Sequence, residues 1–129
     1  MIANTLCKEE RLRGEQVISN LFDHGNTFFQ PPYKVFWIKT SESGLFPVRF
    51  AVSAPKRRFK RAVERNLVKR RTREVFRTNK RILSDAITDG CQVQIMVIYA
   101  SDKLLPCAEL EESMKKILKR IAQKYVESV

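Results

Sequence analysis

Apolar positions along this chain change their period several times, and the changes mark the elements. Ile18, Leu21 and Phe22 recur at helical spacing, so a short first helix is predicted over residues 14–24, with Gly25 suited to a left-handed stop. Pro31-Pro32 then breaks the chain. From Tyr33 to Thr40 the period drops to two, with Tyr33, Val35 and Trp37 on one face and Lys34, Phe36 and Ile38 on the other. A turn over residues 41–44 leads into a second strand from Val48 to Ser53, which Pro55 ends. Residues 61–81 contain neither Gly nor Pro and suit a helix of several turns. Asp89-Gly90 closes the next connection. Residues 91–100, rich in Val, Ile and Tyr, form a strand, and Pro106 starts a last helix whose core stripe is Leu110, Met114, Ile117, Leu118, Ile121 and Tyr125.

The order is helix, strand, strand with room for one more strand, helix, strand, helix. It predicts an α+β fold, a small α/β sandwich with helices packed on a short sheet. A chain of 129 residues, 43% hydrophobic, is long enough for one packed core and short for two, so residues 1–129 are expected to form a single domain. The first residues, MIANTLCKEERLRGEQ, lack the apolar core of a signal peptide, and the longest apolar run, residues 95–100, is far short of a membrane span. A soluble intracellular protein is expected.

Charge changes the picture more than composition does. Thirteen of the 25 Lys and Arg residues fall in residues 56–81, where the only acids are Glu64 and Glu74, so that segment carries the whole net charge of +11. Twelve basic and twelve acidic residues balance elsewhere. A neutral domain with one cationic element implies a polyanionic partner, nucleic acid or an acidic membrane surface. Cys7, Cys91 and Cys107 are odd in number and widely spaced, which fits buried or idle thiols better than a metal site or a redox pair. The one histidine, His24, reads as a helix-end residue. No catalytic or metal-binding constellation stands out.

On a helical wheel Arg61, Arg65, Asn66, Lys69, Arg70, Arg73 and Arg77 fill about half of the circumference, and Val63, Leu67, Val68 and Val75 lie in the other half. Solvated helix faces usually intersperse acids at i,i+4. Here Arg61, Arg65, Lys69, Arg73 and Arg77 make four consecutive like-charge pairs, each costing about 0.2–0.5 kcal/mol when exposed. A run of phosphates would relieve that repulsion, so a nucleic-acid surface is preferred to a solvated face. The predominance of arginine suits bidentate phosphate contacts. Asn66 offers an amide to a 2′-hydroxyl, a base edge or a metal-bound water; the plainer reading is a neutral spacer.

The run Ala62-Val63-Glu64-Arg65-Asn66-Leu67-Val68-Lys69-Arg70-Arg71-Thr72-Arg73 resembles the signature helix of the bacterial ribonuclease P protein subunit: Ala-Val, one residue, Arg-Asn, two residues, Lys-Arg, two residues, Arg. Leu12, Phe22 and Gly25 in the first helix and Phe36 in the strand also stand at family spacing. The resemblance implies a left-handed crossover joining two parallel strands through the basic helix. It implies a subunit of a cytoplasmic ribonucleoprotein in which the RNA carries out Mg²⁺-dependent removal of the 5′ leader from precursor tRNA, with no membrane or DNA partner and no catalytic residue in the protein. It assigns Arg61, Arg65, Asn66, Lys69, Arg70, Arg73 and Arg77 to the catalytic RNA, and Mg²⁺ mainly to the RNA. A second surface, a cleft between the first helix and the sheet, is implied to hold the single-stranded leader at Ile18, Phe22, Phe36, Lys56 and Arg57, where rings can stack on unpaired bases.

Without the resemblance, Phe22 and Phe36 read as ordinary core residues. Ile18 stands where the family usually has an aromatic residue, Pro55 where a small hydroxyl residue is common, and residues 56–60 form a loop without the usual glycine. The competing functions are a structural RNA-binding protein of ribosomal type and a self-sufficient nuclease, which would need its own acid-base pair or metal cluster.

Overall fold

The computed structural model describes residues 15–40, 47–87 and 90–127. Leu12, the predicted turn over residues 41–44, Cys7 and Asp89 lie outside them. The elements are α1 (Glu15–His24), β1 (Asn26–Gln30), β2 (Tyr33–Thr40), β3 (Val48–Ser53), α2 (Ala62–Asn79), the short α3 (Arg81–Ser84), β4 (Gln92–Tyr99) and α4 (Cys107–Glu127). The additional strand is β1, which pairs with β2 across Pro31-Pro32.

The sheet has the order β1-β2-β4-β3, with β4 antiparallel to β2 and parallel to β3. β4 is central, which explains its unbroken apolar character: residues from Gln92 to Val97 are buried without alternation. β2 keeps its alternation, burying Tyr33, Val35 and Trp37 while Lys34 is exposed and Phe36 and Ile38 are half-buried. That parity divides the protein into two layers. The Tyr33, Val35 and Trp37 face forms the main core with α2 and α4, and all six residues of the predicted α4 stripe are buried in it. The opposite face carries a smaller cluster in which α1 sets Leu21 and Val17 against Met96, Phe36, Ile38 and Ala51.

α2 connects the parallel neighbours β3 and β4, and its inner face differs from the wheel reading. Val68, Thr72, Val75 and Phe76 are buried. Val63, assigned to the core half, is 78% exposed, and Leu67 is only half-buried. The reason is the direction of the buried side: Thr72 and Phe76 turn it so that Val63 lies on the opposite side of the wheel, with Leu67 between. Thr72 is tolerated inside because its Oγ1 lies 2.7 Å from the Tyr33 hydroxyl, each satisfying the other. Burial pushes the Tyr33 phenol up from its ordinary range, so that pair stays uncharged. Phe76 stacks on Phe50 of β3 with centroids 4.1 Å apart and planes 7° from parallel. The helix ends at Asn79, earlier than predicted, where Thr78 and Asn79 turn their side chains onto the Glu74 and Val75 carbonyls.

Gly25 ends α1 by a different device from the one expected. Among the described residues only Gly90 has a positive φ, +79°. Gly25 is needed because its N–H donates to the Leu21 carbonyl at 2.8 Å, and a Cβ there would lie 2.3 Å from that oxygen and 3.1 Å from the Trp37 carbonyl oxygen. Both neighbours are backbone and cannot swing aside. Gly25→Ala is therefore expected to destabilise the protein by about 1–3 kcal/mol, the usual range for forced overpacking, read as a lower urea midpoint. An unchanged midpoint would show that the end of α1 lifts off the sheet at no cost.

Candidate nucleic-acid interface

The basic segment begins where β3 ends. Ala54 is buried, Arg58 and Phe59 donate their amides to the Pro55 carbonyl at 3.1 and 3.3 Å, and Phe59 is buried against the Tyr99 ring with centroids 5.7 Å apart. This turn needs no positive φ, so a loop without glycine is accommodated. It exposes Lys56, Arg57 and Lys60. Arg61 follows as the N-cap residue of α2, with extended backbone and no side-chain capping bond.

Several arginines of the segment hold the protein together. Arg65 donates through Nη1 to the Phe59 and Lys60 carbonyls at 2.9 and 2.8 Å, clasping the loop to the helix. Arg71, outside the predicted site, donates to the Leu105 carbonyl at 2.9 Å, and Arg58 pairs with Asp102 at 3.2 Å. Tyr99 completes the anchoring: its hydroxyl donates to the Lys103 carbonyl at 2.6 Å and accepts from the Leu105 amide at 3.2 Å. The loop before α2 and the loop before α4 thus brace each other. Nothing in residue spacing announces these bonds, because the acceptors of Arg65 and Arg71 are backbone carbonyls and Asp102 lies 44 residues from Arg58.

The predicted ladder of like charges is broken at its far end. Arg77 forms a two-pronged contact with Glu74, Nε to Oε2 at 3.0 Å and Nη2 to Oε1. Arg77 holds the Glu74 carboxyl below its ordinary range, and the Arg77 guanidinium is shifted up in return. The pair is exposed, so it contributes little to stability, but it removes one member of the repulsive series. Of the remaining predicted residues, Arg61, Asn66 and Arg70 are exposed and Arg65, Lys69 and Arg73 are half-buried. On the helical wheel Asn66, Arg70 and Arg73 lie away from the buried side, Lys69 stands at its margin beside Phe76, and Arg61 and Arg65 flank Thr72 in the turns ahead of the first buried residue.

On the other face of the sheet, Phe22 of α1 and Phe36 of β2 meet edge to face, with centroids 4.7 Å apart and planes 87° apart. Phe22 is 42% exposed, more than a core ring would be. Ile18, one turn earlier on α1, is half-buried. Register sets Phe36 beside Met96 and Met96 beside Ala51, so the floor of this groove is apolar. Lys34, which the sequence reading left out of the cleft, extends its ammonium to 5.4 Å from the Phe36 centroid. Its signal was present, since Lys34 and Phe36 share a strand face at i,i+2. Lys56 and Arg57 do not touch the ring pair. They are exposed on the loop beyond Ser53, and Ser53, Ile98 and Lys34 lie in one row across the sheet, so that loop leaves the sheet at the Lys34 end of the groove.

Mg²⁺ demands near-octahedral oxygen ligands. Among the described residues no three His, Cys, Asp or Glu side chains come together to hold a metal ion, and α2 offers only Glu64 and the Arg77-bound Glu74. The side chains of this surface do not fit a resident Mg²⁺. Cys91 is half-buried, and Cys107 is exposed at the first position of α4.

Comparison with known proteins agrees with this geometry. The family model described as Ribonuclease P matches residues 6–122. A ribonuclease P protein component from Porphyromonas gingivalis is 37% identical over 118 residues, 91% of this chain and 86% of that protein. One from Chlorobium phaeobacteroides is 37% identical over 119 residues, covering 83% and 80%. Among solved structures, the RNase P protein from Thermotoga maritima superposes with a TM-score of 0.68 at 25% identity, covering 86% of this chain and 96% of that one. The RNase P protein of Staphylococcus aureus, with a TM-score of 0.65 at 21% identity and coverage of 88% and 94%, shares the fold.

Proposed function

The chain belongs to the ribonuclease P protein family, and from that premise we propose that α2 docks it on ribonuclease P RNA while the groove between α1 and the sheet holds the 5′ leader of precursor tRNA. It is an accessory subunit of that endoribonuclease and assists the RNA in processing the 5′ end of tRNA. The observation that carries the docking assignment is the concentration of Arg61, Arg65, Asn66, Lys69, Arg70 and Arg73 on one helix that Val68, Thr72, Val75 and Phe76 fix to the core. Phosphate neutralisation is what such a concentration does best. Arg77, engaged with Glu74, takes an outer place in it.

Leader binding rests on the half-exposed Phe22–Phe36 pair, with Ile18 adding apolar surface and Lys34, Lys56 and Arg57 supplying charge for the backbone at one end. Single-stranded nucleic acid is held by such a combination of rings and cations with little sequence preference. The Mg²⁺ of the reaction belongs to the RNA, and the protein's part is to neutralise phosphates around it. No helix among the described residues is long and apolar enough to cross a membrane. A cytoplasmic protein acting as one domain over residues 1–129, with RNA and not DNA as its partner, completes the reading.

Reconstitution with the RNA and precursor tRNAs of graded leader length tests it. The wild-type chain is expected to raise affinity for leader-bearing substrate; no increase would remove the groove from the account. Phe22→Ala should weaken leader-bearing substrate by about 1–3 kcal/mol, the range for one stacked base, while leaving mature tRNA unaffected. Equal loss with both substrates would show that Phe22 acts through the fold.

A further inference from the structure

A pocket of about 620 Å³ opens between the β1–β2 edge of the sheet and the C-terminal half of α4, at the opposite end of the strand order from β3, against which α2 packs. Its polar lining is Asn26, Thr27, Lys39, Arg120 and Lys124, and its rings are Phe28 and Trp37. Among the described residues that line it, none is acidic.

The charge balance outside residues 56–81 hides this surface. Residues 115–124 hold five basic side chains and no acid, offset in the total by acids elsewhere. Lys116, Arg120 and Lys124 repeat at i,i+4, the same unfavourable spacing of like charges found on α2. Rings steady two of the pocket's cations: the Arg120 guanidinium lies over Phe28, 4.3 Å from its centroid, and the Lys39 ammonium over Tyr125 at 4.6 Å. Lys124 has Glu127 at 3.9 Å, with both side chains largely exposed.

We infer that this pocket is a second RNA-binding site that takes one unpaired nucleotide, its base stacked on the Arg120 guanidinium and its phosphate between Lys39 and Lys124. The inference rests on the ribonuclease P reading, which supplies the RNA. Arg120 is exposed, and a guanidinium held over a ring on one side leaves its other side to solvent as a platform for a base. The Asn26 amide provides a donor and an acceptor for a base edge or ribose. The volume lies within the range of about 300–1,000 Å³ for small-ligand pockets, which suits a nucleotide. An acidic peptide would use the ammonium groups but not the planar stack.

Trp37 is the chain's only tryptophan, so its fluorescence reports on this pocket. A five-residue oligouridylate titrated into the full chain is expected to change Trp37 emission, and Arg120→Gln/Lys124→Gln to weaken that response at least tenfold. Both positions are exposed on α4, and an unchanged thermal melt confirms the fold. Binding of ribonuclease P RNA and of precursor tRNA is then measured against salt. The RNA that supplies the nucleotide is the one whose log–log slope falls by about 0.7, one single-strand phosphate contact. Unchanged slopes with both RNAs overturn the inference, as does a polyglutamate peptide that moves Trp37 emission as strongly as the oligonucleotide. Arg70→Ala is run in parallel: if it weakens RNA binding and the pocket variant does not, the pocket alone is wrong. If neither does, the ribonuclease P docking surface falls with it.

Discussion

Phe76→Ala is expected to lower the stability of this protein by about 3–5 kcal/mol and, with every charge of the interface intact, to lower its affinity for RNA. Phe76 is fully buried and stacked in parallel on Phe50, so truncation removes both its transfer from water and a ring contact that ties α2 to β3. Against a typical total of about 5–15 kcal/mol, that is a large fraction. Because the inner face of α2 fixes the direction of its outer face, loosening one loosens the other. Urea denaturation gives the first number and filter binding the second, at a temperature where the variant is still folded. A variant destabilised as expected that binds RNA as wild type does would show that α2 is positioned by its ends and not by Phe76. Phe76→Leu, which leaves most of the volume, should do much less on both counts.

The second large effect concerns Arg65. Arg65→Ala removes two charge-assisted bonds to the Phe59 and Lys60 carbonyls as well as a cation from the docking helix, and each such bond is worth about 1.5–3 kcal/mol. RNA affinity is expected to fall about 100-fold, against about tenfold for Arg70→Ala, whose exposed side chain has only the phosphate contact to lose. Arg65→Lys keeps the charge but gives up the fixed guanidinium geometry with which Nη1 reaches both carbonyls, so it should fall between wild type and Arg65→Ala. Salt dependence separates the two contributions. With about six phosphates neutralised on irregular RNA, the wild-type slope of log affinity on log salt should be near −4, and Arg70→Ala should reduce it by about 0.7. Arg65→Lys should leave the slope intact while shifting the whole line. Wild-type binding by Arg65→Lys would mean that the clasp on the loop contributes nothing to recognition.

Periodic and compositional signals gave the strands and helices that bury a regular face. The alternation of β2, the unbroken run of β4 and the six-residue stripe of α4 are each the imprint of a face fully covered by one neighbour. β1 has no such imprint: NTFFQ is a short edge strand with mostly exposed residues, and what makes it a strand is its pairing with β2. α2 misled where burial depended on a distant partner. Thr72 looks polar until the Tyr33 hydroxyl is brought to it, and Val63 looks like a core residue until Thr72 and Phe76 show that the buried side of α2 faces the other way.

The cationic helix was legible because charge density needs no tertiary information. The internal duties of Arg65 and Arg71 were hidden because a carbonyl can be offered by any residue, and that of Arg58 because Asp102 is distant in sequence. The balanced sum outside residues 56–81 concealed the basic stretch of α4, since a total says nothing about which charges are neighbours. Phe22 and Phe36 were identified one by one, but their edge-to-face contact depends on α1 lying across β2, which Gly25 permits.

Phe59 gives the basic loop a property that its charge alone would not. With that ring sunk against Tyr99, and with Arg58, Arg65 and Arg71 fastened to carbonyl or carboxylate partners, the cationic surface has its shape before any RNA arrives. Little conformational entropy remains to be surrendered on association, so the free energy of each phosphate contact reaches the complex largely undiminished by a folding step.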